Sequence, residues 1–111
     1  SSDLCRKKFK SMRIIAQETL AKFWRKHPDS AVPLGSWLKL AKESKWKNSN
    51  DVKEIYPYVS VLSNNRVVFN IKGNDYRLVV AFAFNAGVGY ICFVGTHQEY
   101  DKIDANTIWD Y

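Results

Sequence analysis

Two stretches of this 111-residue chain hold the residue types that can do chemistry. Asn70-Ile71-Lys72-Gly73-Asn74-Asp75-Tyr76-Arg77 sets two amides and two cations around a turn. Thr96-His97-Gln98-Glu99-Tyr100-Asp101-Lys102 adds a histidine, a phenol and a third cation. Together Arg77, Lys72, Lys102, Asn70, His97 and Tyr100 suit cleavage of RNA by the strand's own 2′-hydroxyl. That reaction needs no metal. It needs a base for the hydroxyl proton, an acid for the leaving 5′-oxygen, and cations for the charge at the crowded phosphorus. Histidine titrates near neutrality and can serve as base or acid. Arg77 can hold a phosphate bidentately. Tyr100 can stack on a base or lend its proton, and Phe93 offers a second stacking surface. Each residue also has a plainer reading. A histidine at a helix start is commonly structural or solvated, Arg77 can pair with Asp75 or Asp101, and Tyr100 can be half-buried packing.

Other chemistries find less support. No serine lies in a G-x-S-x-G setting, and a cysteine on a core-facing strand is a poor nucleophile. Lys72-Gly73-Asn74 is a hairpin turn rather than a phosphate loop. Neither His27 nor His97 has metal-ligand spacing around it, so neither a metal nor a cofactor is expected. Asp75 and Asp101 sit among cations and are expected to be ionised, which weighs against a carboxylate-pair hydrolase.

The elements that must position these residues run from Asn64 to Ile103. Apolar residues alternate on both sides of Gly73-Asn74, which predicts a hairpin with a two-residue primed turn. Asn70 then lies opposite Arg77, Phe69 opposite Leu78 and Ile71 opposite Tyr76. Val67, Phe69, Ile71, Tyr76, Leu78, Val80, Phe82 and Phe84 share a core face, and Arg66, Asn70, Lys72, Asp75 and Arg77 share a polar one. A three-residue connection, Asn85-Ala86-Gly87, leads to a third strand. An unbroken register there puts Tyr90, Cys92 and Val94 on the core face, and Ile91, Phe93 and Gly95 on the polar one. Gly95 is expected beside Arg77, leaving the guanidinium accessible; a bulge would shift that pairing by one. Thr96 and Glu99 fit a capping box, and His97, Tyr100 and Asp101 can share one face of the short helix it opens.

Upstream, Met12–Ala16 reads as a short strand. Gln17–His27 reads as a helix with Leu20, Phe23 and Trp24 on one stripe. Pro28 closes it. A second helix is expected over Val32–Ser44, with Leu34, Trp37, Leu38 and Ala41 inward. A one-turn helix capped by Asn50 or Asp51 should run to Ile55, and a strand should span Tyr58–Leu62. The expected fold is α+β: two N-terminal helices on one face of an antiparallel sheet, the other face partly open, and a short C-terminal helix. Residues 12–111 are expected to form one domain. Residues 1–11 lack apolar periodicity and are expected to be a flexible extension outside the fold.

Charge adds little. Of the net charge of +6, half comes from Arg6, Lys7, Lys8 and Lys10 against Asp3. The remainder is only mildly basic, so any nucleic-acid argument rests on where charges sit. No apolar run is long enough to span a membrane and no secretory apolar region follows the basic start, so no membrane contact is expected. Two lone cysteines, Cys5 and Cys92, fit a reducing cytoplasm.

From Met12 to about Ile108 the chain resembles the HigB toxins of bacterial type II toxin–antitoxin systems. The segments that carry the likeness are MRIIAQETLAKFWRKHPD, VVFNIKGNDYRLVVAF and FVGTHQEYDKID. The resemblance implies a RelE-like fold and an mRNA endoribonuclease, generally ribosome-dependent. It also implies a HigA-like helix-turn-helix antitoxin, through which alone the toxin meets operator DNA. It maps the family's shared polar positions onto Asn70, Lys72, Gly73, Asn74, Arg77, His97, Tyr100, Asp101 and Lys102. Arg77, His97, Tyr100 and Lys102 are then the catalytic candidates, and Asn70, Lys72, Asn74, Phe93 and Asp101 the RNA-binding ones. A non-catalytic RNA- or ribosome-binding module using the same cationic face is the competing reading.

Overall fold

The computed structural model describes residues 12–62, 65–73, 75–105 and 108. Strand β1 (Arg13–Ile15) leads into helix α1 (Gln17–Lys26), a 3-10 turn over Pro28–Ser30 and helix α2 (Ala31–Glu43). Helix α3 (Ser49–Ile55) precedes β2 (Ser60–Val61), β3 (Arg66–Ile71), β4 (Tyr76–Ala83), β5 (Val88–Thr96) and the single-turn helix α4 (His97–Tyr100). The sheet order is β1-β5-β4-β3-β2. All pairings are antiparallel except β1 with β5, which is parallel, so the sheet is mixed rather than wholly antiparallel.

Side-chain alternation sets the helix-facing core. Phe69 lies among the rings of Trp37, Trp46, Tyr56 and Phe82 at centroid separations of 5.2–6.4 Å. Leu20, Leu34, Ala41 and Val52 carry the helices onto Val67, Leu78 and Val80, all fully buried. Helix α3 is longer than a single turn, and its cap is Asn48, whose side chain accepts the Asp51 N–H at 3.0 Å. The reason is one of position: Asn48 has the extended backbone an N-cap needs, whereas Asn50 and Asp51 are already helical.

The first hairpin register is as expected, with Asn70 opposite Arg77 and Ile71 opposite Tyr76. Its turn carries left-handed backbone at Lys72 (φ 51°) as well as at Gly73 (φ 67°). Asn74 lies outside the described residues.

The third strand departs from an unbroken alternation. Arg77 does pair with Gly95 and Val79 with Phe93, but Val80 pairs with Ile91. Cys92 is therefore the extra residue of a β-bulge. The bulge moves Ile91 into the helix-facing core beside Val80, puts Cys92 in the opposite cluster, and leaves Tyr90 37% exposed. The assignment of Tyr90 and Cys92 to the core face, and of Ile91 to the polar one, is corrected accordingly. Phe84 belongs to a 3-10 turn (Phe84–Ala86) rather than to β4.

The second sheet face is also partly core. Val68, Val79, Cys92, Phe93 and Ala105 form a buried cluster, with Leu62, Ala81, Tyr100, Ile103 and Ile108 packed on it. Arg66, expected on an open polar face, is 4% exposed, and its Nη1 donates to the carbonyls of Ala105 and Ile108, both at 2.9 Å. The chain after α4 folds back over this end of the face and encloses the guanidinium.

Candidate functional site

The registers lay the second face out in rows. Arg66 and Ala81 form one, Val68, Val79 and Phe93 the next, and Asn70, Arg77 and Gly95 the last. The first two rows are covered except at Tyr90, which pairs with Ala81 and is 37% exposed. The last is where the sheet meets α4, and there the candidate polar residues gather.

The expected capping box builds α4. Thr96 Oγ1 accepts the Glu99 N–H at 3.1 Å, and Glu99 Oε1 accepts the Thr96 N–H at 2.9 Å. The ladder between β4 and β5 runs one bond further, His97 N–H to the Asp75 carbonyl at 3.1 Å, which ties the helix start to the hairpin. Two side-chain pairs follow. His97 Nδ1 lies 3.6 Å from Asp101 Oδ2, both half exposed. The Arg77 guanidinium carbon sits 5.9 Å from the centre of the Tyr100 ring, within cation–π reach. Arg77, His97, Tyr100 and Asp101 are thus brought to one end of the sheet, with Asn70 opposite Arg77 on the next strand. Lys102 follows α4, exposed and without an ion-pair partner among the described residues.

Two candidates sit differently. Phe93 is 5% exposed and packs in the second cluster, so its ring is not offered to a base. Gly95 does lie beside Arg77, but a Cβ there would fall 2.5 Å from the Phe93 ring. The missing side chain makes room for Phe93 rather than opening a way to the guanidinium. Lys72 is drawn to the helix layer: its Nζ is 2.7 Å from Asp29 Oδ2 and 3.6 Å from Asp75 Oδ2. Its left-handed backbone breaks the alternation that would have aimed it with Asn70 and Arg77.

Asp29 was not legible as part of the site. From the 3-10 turn it takes Lys72 on one oxygen and the Tyr76 hydroxyl on the other, each at 2.7 Å. Those two hydrogen bonds, Lys72 first, hold its carboxyl below the usual range, and the same bonds raise Lys72 and Tyr76. His27 stacks on Phe23 at 4.5 Å and tilts toward Tyr76 at 5.5 Å, a packing role in the helix layer. Burial pushes the Cys92 thiol up, which removes it as a nucleophile.

Beyond Asn70, at the outer edge of β3, opens a groove of about 760 Å³ lined by Ile55, Tyr56, Pro57, Tyr58, Val59, Asn70 and Gly73. Strand β2 pairs only as far as Val68, so the groove begins where that partner ends. Its one sequence signal is Tyr56-Pro57-Tyr58, two rings about a rigid turn.

Among the described residues no group of three His, Cys, Asp or Glu could hold a metal ion, and no helix is long and apolar enough to cross a membrane. A family model described as HigB toxin, the RelE-like toxic component of a toxin–antitoxin system, matches residues 30–103. The mRNA interferase toxin HigB of Escherichia coli (strain K12) is 28% identical over 96 residues, which cover 85% of this chain and 92% of the relative. The mRNA interferase HigB of Shigella flexneri shows the same figures, and that of Escherichia coli O6:H1 is 24% identical over 94 residues, covering 83% and 91%. The match spans the second helix, the hairpin and the capped α4 that assemble the polar end of the sheet, and the chain belongs to the HigB toxin family.

Proposed function

We propose that this chain is an endoribonuclease toxin that cleaves mRNA on the ribosome and is restrained by a HigA-like helix-turn-helix antitoxin. The observation that carries the reading is the placement of Arg77 against Tyr100, on the same turn of helix as His97, at one end of the sheet. The toxin family and the mRNA interferase names of the relatives support it.

The chemistry follows from those side chains. The 2′-hydroxyl loses its proton to a base and its oxygen bonds to the adjacent phosphorus. The bond from phosphorus to the 5′-oxygen breaks, and that oxygen takes a proton from an acid. The products are a 2′,3′-cyclic phosphate and a 5′-hydroxyl. His97 supplies one proton transfer, and Asp101, 3.6 Å from its Nδ1, orients the imidazole. Arg77 balances the phosphorane charge, with Lys102 a second cation nearby. Tyr100 holds Arg77 in place and offers the second proton or a stacking face. The nucleophile belongs to the substrate, so cleavage is expected to persist in a chelator that leaves the ribosome intact.

Single-turnover cleavage of ribosome-bound mRNA, beside a binding titration at fixed salt, tests the assignment. His97→Ala should fold normally and cleave about 10²- to 10⁴-fold more slowly, with binding nearly unchanged. Arg77→Ala should lose both, because a phosphate contact exists before the transition state as well as in it. A folded His97→Ala protein cleaving within a few-fold of wild type removes His97 from the mechanism. Wild-type protein that binds ribosomes without cutting mRNA makes the chain a binding module instead.

A further inference from the structure

The groove beside Asn70 is built for something planar and uncharged. Two tyrosines flank Pro57 in it, and among the described residues no lysine, arginine, histidine or carboxylate lines it. Tyr56 is anchored, its ring packed edge-on against Phe69 at 5.3 Å and against Trp46 at 6.4 Å. Burial raises its phenol, which stays protonated as a hydrogen-bond donor. A turn bond, Val59 N–H to the Tyr56 carbonyl at 3.2 Å, fixes the loop. Tyr58 on the rim is 85% exposed and Ile55 49%, so the wall facing solvent is apolar and ring-bearing.

One polar group joins the groove to the rest of the molecule. Asn70 lines it, has no hydrogen-bond partner among the described residues, and lies directly opposite Arg77. Its free amide offers a donor and an acceptor together, the pair that reads the edge of a base. Neighbouring strands are about 4.8 Å apart. A strand of RNA whose phosphate rests on Arg77 therefore brings an adjoining base to Asn70, and the groove lies one step further along the same row.

We propose that the groove takes an unpaired nucleobase of the RNA substrate, stacked on Tyr58 with its edge on the Asn70 amide, next to the phosphate held by Arg77. The inference rests on the ribonuclease reading and adds a subsite to it. The absence of charge in the groove favours a base over a phosphate, and continuity through Asn70 favours the substrate over a protein segment. Single-stranded RNA meets proteins in this way, by rings under the bases and amides at their edges, with cations left to the backbone.

The test uses the full chain on ribosomes programmed with mRNA. Truncating Tyr58, an exposed side chain, should leave the melting temperature unchanged. Tyr58→Ala should raise KM for cleavage about 5- to 150-fold, with a smaller change in kcat. Tyr58→Trp should restore KM, whereas Tyr58→Leu, which keeps apolar bulk without a ring, should not. A Tyr58→Ala protein with wild-type KM overturns the proposal. So does a variant whose cleavage is normal but whose antitoxin binding is weakened, which would make the groove a protein-docking surface. If the wild-type chain cuts no mRNA, the ribonuclease reading itself fails, and that result is distinct from either.

Discussion

The two faces of the sheet are built on different terms. The helix-facing side is apolar from end to end, and its rings interlock from Trp37 through Phe69 to Phe82. The other side changes character along its length. It opens with a buried arginine, passes through valines and Phe93, and finishes with Asn70, Arg77 and the residues of α4. Arg66 and Arg77 stand on this same face, at opposite ends. One is enclosed and holds the returning chain by two carbonyls, while the other lies partly buried over Tyr100. A guanidinium surrounded by backbone oxygens is a structural strap, whereas one at an open end of the face can meet an anion. The difference teaches that half of a sheet face can stay polar and open because the other half has been turned into core.

The helix-facing side should be the more costly to damage. Phe69 is 1% exposed and touches four other rings, so Phe69→Ala should cost about 3–5 kcal/mol of stability, measured by urea unfolding. A loss under about 1 kcal/mol would mean that the ring cluster is loosely packed and that the helices gain their hold elsewhere. Arg66→Met comes next, at about 2–3 kcal/mol, because it strands the carbonyls of Ala105 and Ile108. Amide exchange after Ile103 should rise in this variant. Cleavage by the folded protein should survive, since the strap lies two rows from Arg77. Loss of cleavage at full stability would show that the ends are coupled.

The sequence discloses one face well and the other poorly, for a physical reason. Alternation is informative where one face is wet, and it places Asn70 against Arg77 and His97 on the capped turn. Along Val88–Thr96 both faces are buried in part, so the strand reads as nearly continuous apolar sequence. The bulge at Cys92 then leaves no trace in the pattern. Arg66 looks solvated because the segment that encloses it arrives about 40 residues later. Asp29 and Lys72 are 43 residues apart, and nothing local announces their pairing. The parallel edge strand is likewise set by where α1 and α2 return the chain, not by β1's own three residues. The buried Arg66, the Asp29–Lys72 pair and the parallel edge strand share one cause, contacts made between distant parts of the chain.

Gly95→Ala probes the seam between core and chemistry on the second face. Its Cβ would meet the Phe93 ring at 2.5 Å and Glu99 Oε1 at 3.2 Å. The ring must shift or the capping box must loosen, at a cost of about 1–3 kcal/mol. Cleavage should fall further than stability alone explains, because Glu99 holds the turn that carries His97 and Tyr100. A second change, Phe93→Leu, should return part of the lost activity by vacating the space. If Gly95→Ala cleaves normally, the glycine is incidental to the site. If Phe93→Leu gives no relief, the clash is with the cap instead.

The smallest effect belongs to Asp29, which ties the open end of the second face back to the helix layer. Its carboxyl is held below 3.8 by Lys72 and then Tyr76, so its contribution is present above the unfolded value and lost as pH falls through the lowered folded one. Lys72 and Tyr76 are raised by the same bonds, Asp29 being the leading cause for both. Their share is present below 10.5 and 10.0 respectively, and is lost as pH rises through the raised folded values. Asp29→Asn keeps an oxygen for the hydroxyl but removes the charge. The melting temperature of the variant should therefore trail the wild type by a small, constant margin across neutral pH. That margin should close in acid, as Asp29 of the wild type takes up its proton, and narrow again in strong alkali. Both partners of the ion pair are nearly half exposed, so salt should shrink the margin too. A margin that widens in acid would mean that the carboxylate is strained rather than stabilised where it sits. A margin indifferent to pH and salt would mean that the turn is held by the geometry of Lys72 and Gly73 alone, and that the two faces are joined by backbone rather than by charge.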